Sequence, residues 1–201
     1  MVKIFSFHKC LKIMITLEHI QLTLEKYLAF FPEENSRFDI LKKQIKFGED
    51  IISRKNFHGH VTASGLVISP NNNVLAIFHN KLQKYLQPGG HIESEDESLI
   101  DSAKREVAEE TGLLEISVHP WCQGNLAPIF VDTHTIPENK NKNEDEHCHH
   151  DFMFVFYVKD ENIFLDQNEV SNFAWGSVEA VMRESSNMAK ALQKMEKLGI
   201  L

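Results

Sequence analysis

Between Thr16 and Phe31 the apolar residues Leu17, Ile20, Leu24, Leu28 and Phe31 recur at spacings of three and four. That period lays an apolar stripe along one side of an α-helix. Thr16 is placed to cap the helix and Pro32 to close it. A second helical pattern runs through Phe38, Ile40, Leu41, Ile45 and Ile51, interrupted by Gly48. Residues 1–55 therefore read as an N-terminal helical extension packing on residues 56–201, which form the main domain. No Gly/Ser-rich linker separates the two.

Beyond residue 58 the period changes. His60–Ser69 and Asn73–His79 read as strands joined by a turn at Pro70, Asn71 and Asn72. Gln87-Pro88-Gly89-Gly90 breaks the chain, and Glu97–Thr111 has helical character. Leu126–Val131 and Asp151–Val158 are further strand candidates, the second aromatic enough for a buried strand. Pro137–Glu146 is polar and charged and reads as a loop. Met188, Leu192, Met195 and Leu198 mark a C-terminal helix. Helices interleaved with strands in this order predict a mixed α/β domain.

Composition narrows the function classes. The 201 residues are 42% hydrophobic, enough for a sizeable core and against wholesale disorder. Twenty-one basic residues against twenty-nine acidic ones give a net charge of −8. General attraction to nucleic acid or to an anionic membrane is therefore not expected. A phosphate ligand would need metal ions or a local basic pocket. Cys10, Cys122 and Cys148 are odd in number and widely spaced, which argues for a reducing compartment rather than a disulfide framework. No run approaches the ~20 apolar residues of a membrane span. The basic, apolar N-terminus lacks the ~7–15-residue core of a secretory signal, so a cytoplasmic location is expected.

The helix at Glu97–Thr111 carries the clearest chemistry. Ile100, Ala103, Val107 and Thr111 fall on one side. Glu106, Glu109 and Glu110 fall at i, i+3 and i+4 within an arc of about 100° beside that stripe. Such like charges repel by roughly 0.2–0.5 kcal/mol per pair when exposed, and by more when partly buried. The ordinary reading is a solvated acidic face. A hard divalent cation would remove the repulsion, because Mg²⁺ and Mn²⁺ take oxygen ligands. Gly89-Gly90 ahead of the helix lets backbone approach a ligand closely, and Gly112 ends the helix as a C′ glycine does.

Gly90-His91-Ile92-Glu93-Ser94-Glu95-Asp96-Glu97, followed by Arg105-Glu106-Val107-Ala108-Glu109-Glu110-Thr111-Gly112-Leu113, resembles the Nudix box. The family pattern is Gly-x5-Glu-x7-Arg-Glu-aliphatic-x-Glu-Glu-x-Gly-aliphatic. The second half matches at every specified position. The first half carries one extra residue, so either Asp96 or Glu97 takes the box glutamate's role. The run from His60 to His91 is similar to one bacterial-type branch of the family.

The resemblance implies a Nudix fold, a mixed β-sheet sandwiched between helices, here with the N-terminal extension. It implies hydrolysis of a nucleoside diphosphate linked to another moiety, with Mg²⁺ or Mn²⁺ as cofactor. Glu106 and Glu110 would be the principal metal ligands, Glu109 a third, and a carbonyl of Gly89 or Gly90 another. Arg105 would pair with Glu97 or Asp96 and orient the helix. The proton acceptor is Glu109, Glu106 or a carboxylate near residues 137–151. Nucleoside triphosphate pyrophosphohydrolysis and a catalytically silent, effector-binding module are the alternatives.

Other residues are candidates for the substrate side. If the last predicted strand extends backward, His147, His149 and Asp151 share one face. Zn²⁺ at His147, Cys148 and His149 is conceivable, although strand neighbours diverge. Lys81 and Lys84 could reach phosphates, and His91 could line the site. Trp175 reads as a core anchor more readily than a base-stacking ring. Cys122 reads as packing. The extension could complete one core or exchange with a second copy, so a homodimer is compatible with the sequence.

Overall fold

The computed structural model describes residues 14–80, 82–140, 144–166, 170–184 and 186–201. Lys81, Cys10 and the N-terminal basic segment lie outside them. The elements are α1 (Leu17–Phe30), a 3-10 turn (Pro32–Phe38), α2 (Asp39–Phe47), β1 (His60–Ile68), β2 (Asn73–His79), β3 (Lys84–Leu86), β4 (Gly89–His91) and α3 (Leu99–Thr111). There follow β5 (Ile116–Val118), α4 (Pro120–Asn125), β6 (Phe130–Ile136), β7 (His147–Val158), β8 (Val170–Ser177), α5 (Val178–Met182) and α6 (Asn187–Leu198).

Two long strands organise the sheet. β1 and β7 run parallel, in register from His60 opposite His149 to Ile68 opposite Tyr157. All nine residues of β1 are buried, as a parallel strand covered on both faces requires. β4 pairs with β1 at Thr62–Ser64 and β2 at Ile68. On the other side β6 and β5 pair antiparallel with β7 at its two ends. β2 is flanked by β3 and β8. Gly65 lets α3 onto the sheet: a Cβ there would meet Val107 Cγ2 at 2.4 Å.

α1 forms where the pattern places it. Thr16 Oγ1 accepts from the His19 amide at 3.2 Å, and His19 Nδ1 accepts from the Thr16 amide at 3.3 Å. Two of the four orphan amides at this helix end are thereby satisfied. The second helix is shorter than its apolar pattern. It stops at Gly48, which adopts a left-handed φ of 68°. Ile51 is buried outside the helix, and its carbonyl accepts from the Val61 amide at 2.8 Å. The strand expected at Leu126–Val131 is also displaced. Leu126 is left-handed (φ 49°) at the end of α4, and the strand runs Phe130–Ile136 because it pairs with β7.

The N-terminal helices share the sheet's core. Tyr27, Phe31, Phe38 and Leu41 are buried in the same cluster as Val61, Leu66, Phe152, Phe154 and Phe156. Each such side chain contributes roughly 1.5–3 kcal/mol on burial. Polar links fix the docking: Gln44 Oε1 accepts from His150 Nε2 at 2.8 Å, and Arg37 bridges to Asp132 at 3.2 Å. Lys194 of α6 lies 4.0 Å over the Phe31 ring and pairs with Glu34 at 2.8 Å. Among the described residues no helix is long and apolar enough to cross a membrane.

Candidate active site

Strand alternation sets one wall of a cleft. His60, Thr62 and Ser64 are every second residue of β1, and His147, His149 and Asp151 every second residue of β7. Register places His60 opposite His149 and Thr62 opposite Asp151. His134 of β6 joins them opposite His149. These side chains, Arg54, Gln87, Gly89, Gly90, His91 and the α3 residues Arg105, Glu106, Glu109 and Glu110 line one cleft of 710 Å³.

α3 is capped by Ser98, whose hydroxyl accepts from the Asp101 amide, and ends at left-handed Gly112. Glu110 is 5% exposed, at the edge of the core where helical projection places it. Its Oε2 accepts from the Gly89 amide at 2.9 Å. Glu106 packs on the next glycine: a Cβ on Gly90 would sit 2.6 Å from its carboxylate carbon. Two carboxylates and the two glycines thus meet without intervening side chains. The two carboxylates are hard oxygen donors of the kind Mg²⁺ and Mn²⁺ take, and the Glu106 carboxylate lies in space that a Cβ on Gly90 would fill.

Arg105 organises the cluster. Its Nε and Nη2 each donate to Asp96 at 3.0 Å, its Nη1 donates to Glu106 at 2.8 Å and Glu109 at 2.9 Å, and Nη2 also reaches the His91 carbonyl at 2.8 Å. Asp96, not Glu97, is therefore the partner. Asp96 is 5% exposed, whereas Glu97 is exposed just before the Ser98 cap, which corrects the placing of Glu97 in the machinery. Counted from Gly90 to Asp96 the five-residue spacing is kept, and the extra residue falls between Asp96 and Arg105. Burial alone would raise the Asp96 pKa, but Arg105 and the Glu93 amide outweigh it and hold the carboxyl below its ordinary range. The Asp96 bond first, then Glu106, raises the Arg105 pKa further. Glu109 opens to solvent at the mouth of the cleft.

Asp151 sits at the floor, accepting from Thr62 Oγ1 at 3.0 Å and Ser64 Oγ at 2.6 Å. Burial raises its pKa, against the lowering effect of the Ser64 bond. The histidines crowd beside it. His60 Nε2 lies 3.1 Å from His91 Nε2, and His147 Nε2 lies 3.3 Å from His149 Nε2. Burial, then the neighbouring rings, depresses the His149 pKa to about 2, and burial lowers that of His60.

The structure thus brings together His91, His147, His149, Asp151, Arg105, Glu106, Glu109, Glu110 and Gly90. Cys148 pairs across to Thr135 in the alternate register and does not join the ring cluster. Lys84 is exposed on β3 and is not among the lining residues. Trp175 packs against the core, its indole N–H donating to the Glu161 carbonyl at 3.2 Å. Cys122 is fully buried, and burial pushes its thiol up to about 11. His60, Thr62, Ser64 and His134 were not singled out by sequence. The signal was there in β1, where polar residues alternate with apolar ones at His60, Thr62 and Ser64.

Comparison with known proteins follows the same lines. The family model described as NUDIX domain matches residues 58–196. A Lactococcus lactis protein named "Probable DHNTP pyrophosphohydrolase" is 33% identical over 105 residues, 52% of this chain and 58% of that protein. The chain thus spans little more than half the length of the curated relative it matches. A C. elegans Ap4A hydrolase structure superposes with a TM-score of 0.51 at 16% identity, over 69% of this chain and 96% of that one. A NUDIX-family hydrolase from Clostridium perfringens gives 0.49 at 24% identity, over 71% and 99%. The sheet with its flanking helices is the architecture shared with the C. elegans structure. With the family model spanning most of the chain, from just before β1 into α6, the protein belongs to the Nudix family.

Proposed function

We propose that this chain is a divalent-metal-dependent hydrolase that cleaves a pyrophosphate bond in a nucleoside diphosphate linked to another moiety. The observation that carries the reading is the meeting of Glu106 and Glu110 with Gly89 and Gly90 inside the cleft. These two carboxylates and a glycine carbonyl would hold Mg²⁺ or Mn²⁺, with Glu109 a third carboxylate beside them. Such ions offset diphosphate charge, polarise a phosphorus–oxygen bond and lower the pKa of an attacking water when bound.

The protein's own groups supply the rest. Arg105 is a positioning residue: every donor of its fork is spent on Asp96, the His91 carbonyl and the carboxylates of α3. Glu109, open at the cleft mouth and paired with Arg105, would take a proton from water at its carboxylate, with Glu106 the alternative acceptor. His91, His147, His149 and Asp151 face the space the substrate would occupy, and Arg54 adds a positive charge to the lining.

A second reading, hydrolysis of a triphosphate to a monophosphate and pyrophosphate, is favoured by the name of the Lactococcus relative. One experiment separates the readings. ADP-ribose, dinucleoside polyphosphates, nucleotide sugars, coenzyme A and a set of triphosphates are incubated with the protein in Mg²⁺ and in Mn²⁺, beside Glu110→Gln. Turnover of a linked diphosphate that disappears in the variant supports the first reading, and pyrophosphate release from a triphosphate the second. No turnover on any compound would leave a silent, effector-binding module as the better account.

A further inference from the structure

Three histidines of the cleft wall present ring nitrogens to one another rather than to carboxylates. His60, His147 and His149 each offer a ring nitrogen, and the three atoms lie within 4.8 Å of one another. They come from the two central strands, which pair in parallel with His60 directly opposite His149. We infer that His60, His147 and His149 form a binding site for a borderline-soft divalent cation, typified by Zn²⁺, distinct from the carboxylates of α3.

Two features go beyond proximity. The first is tautomer. His60 Nδ1 lies 3.1 Å from the Asn56 carbonyl oxygen, and His147 Nδ1 lies 2.6 Å from that of Asp145. A carbonyl can only accept, so both Nδ1 atoms carry the proton and both Nε2 atoms carry the lone pair. Ligating histidines are held in this way, with the distal N–H on a carbonyl and the other nitrogen turned to the metal; the His60 Nε2 lone pair here accepts from His91 Nε2 at 3.1 Å, a bond that a cation would displace. The second is spacing. Metal–nitrogen bonds of ~2.0–2.1 Å in tetrahedral geometry set ligand nitrogens about 3.4 Å apart. His147 Nε2 and His149 Nε2 are 3.3 Å apart, a contact in which His149 donates and whose proton a cation between the two rings would replace. None of the separations among the three ligand atoms exceeds 4.8 Å.

The donor chemistry separates this site from the one on α3. Imidazole nitrogens suit Zn²⁺, Co²⁺, Ni²⁺ and Cu²⁺, whereas carboxylates and carbonyls suit Mg²⁺ and Mn²⁺. Three protein nitrogens leave one position of a tetrahedral ion for water or an oxygen of a molecule in the cleft. His91 flanks that side, its ring centroid 5.0 Å from His60 and 5.2 Å from His149. Because the inference concerns binding, it stands or falls independently of any hydrolytic activity.

The test uses tag-free, chelator-stripped full-length protein titrated with Zn²⁺ by calorimetry and with Co²⁺ by visible absorption. The expected result is one Zn²⁺ per chain and the intense d–d bands of tetrahedral Co²⁺. His147→Asn and His149→Asn each weaken Zn²⁺ at least 100-fold, while Glu106→Gln and Cys148→Ser leave it within about threefold. Should the histidine variants fail to fold, ¹⁵N spectra of the unmodified protein decide: Zn²⁺ must shift the ring nitrogens of His60, His147 and His149 and spare those of His58 and His119. Zn²⁺ affinity no greater than that for Mg²⁺ would overturn the inference. So would loss of Zn²⁺ in Glu106→Gln with retention in the histidine variants, or unshifted His60, His147 and His149 rings.

Discussion

Adjacent glycines at the start of the box should respond to alanine in opposite ways. At Gly90 the three atoms nearest an added Cβ all belong to the far end of one flexible side chain, the Glu106 carboxylate, at 2.6–2.7 Å. Ordinary van der Waals contact begins at 3.4 Å, so the carboxylate must retreat by about 0.8 Å. The rest of the fold need not move, and Gly90→Ala should cost no more than about 1 kcal/mol of stability. A displacement near 1 Å at a site that positions reacting groups costs about 10²-fold in rate, or ~2.7 kcal/mol of transition-state stabilisation. At Gly89 the same atom would meet Ser64 Cβ at 2.4 Å, Ser64 Cα at 2.7 Å and the Ala63 carbonyl at 2.8 Å. Those atoms belong to a central strand with nowhere to go. Gly89→Ala should therefore lose about 1–3 kcal/mol or more of stability by overpacking. Thermal unfolding and kcat/KM for the best substrate, measured on both variants, check the contrast. A folded Gly90→Ala protein with undiminished kcat/KM would refute the argument that Gly90 exists to seat the Glu106 carboxylate.

Other perturbations follow from the same contacts. Arg105→Lys forfeits the paired bonds to Asp96 and the bond to the His91 carbonyl, so chemical unfolding should show a loss of about 2–3 kcal/mol, whereas Glu97→Gln stays within ~0.5 kcal/mol. Asp96 titrates below its ordinary 3.8 in the folded chain. Its pairing therefore contributes fully above the unfolded value and is lost as pH falls through the folded one. The stability gap between wild type and Asp96→Asn should be constant above about pH 5 and shrink below about pH 4; a gap independent of pH would contradict this. Phe38→Ala empties a fully buried site against Tyr27 and should cost about 3–5 kcal/mol. If the N-terminal helices and the sheet are one cooperative unit, the variant still unfolds in a single transition, whereas two separated transitions would show the extension melting alone.

Legibility in the sequence followed locality. α1 was readable because its stripe, cap and stop lie within seventeen consecutive positions, from Thr16 to Pro32. The α3 carboxylates were readable because helical projection alone puts Glu110 at the core's edge. The partner of Arg105 was not, because the choice between Asp96 and Glu97 depends on where the helix starts. The Ser98 cap leaves Glu97 outside the first turn and exposed, and turns Asp96 inward. His60 and His134 escaped notice for a different reason. Their meeting with His149 depends on parallel pairing of β1 with β7 and antiparallel pairing of β6 with β7, across separations of about 90 and 15 residues. β8 was missed too: its outward residues alternate too weakly to declare a strand whose ladder is made with β2.

The central claim is that the carboxylates seated on Gly89 and Gly90 carry a metal-dependent hydrolysis. Its most direct test is turnover of the best panel substrate by wild type, Glu106→Gln, Glu110→Gln and Glu97→Gln across a Mg²⁺ and Mn²⁺ titration, with folding verified for each. Loss of at least 10³-fold in the first two variants, with Glu97→Gln at wild-type rate and wild-type activity abolished by chelator, is the predicted result. Metal-dependent turnover that survives in both Glu106→Gln and Glu110→Gln would contradict the account.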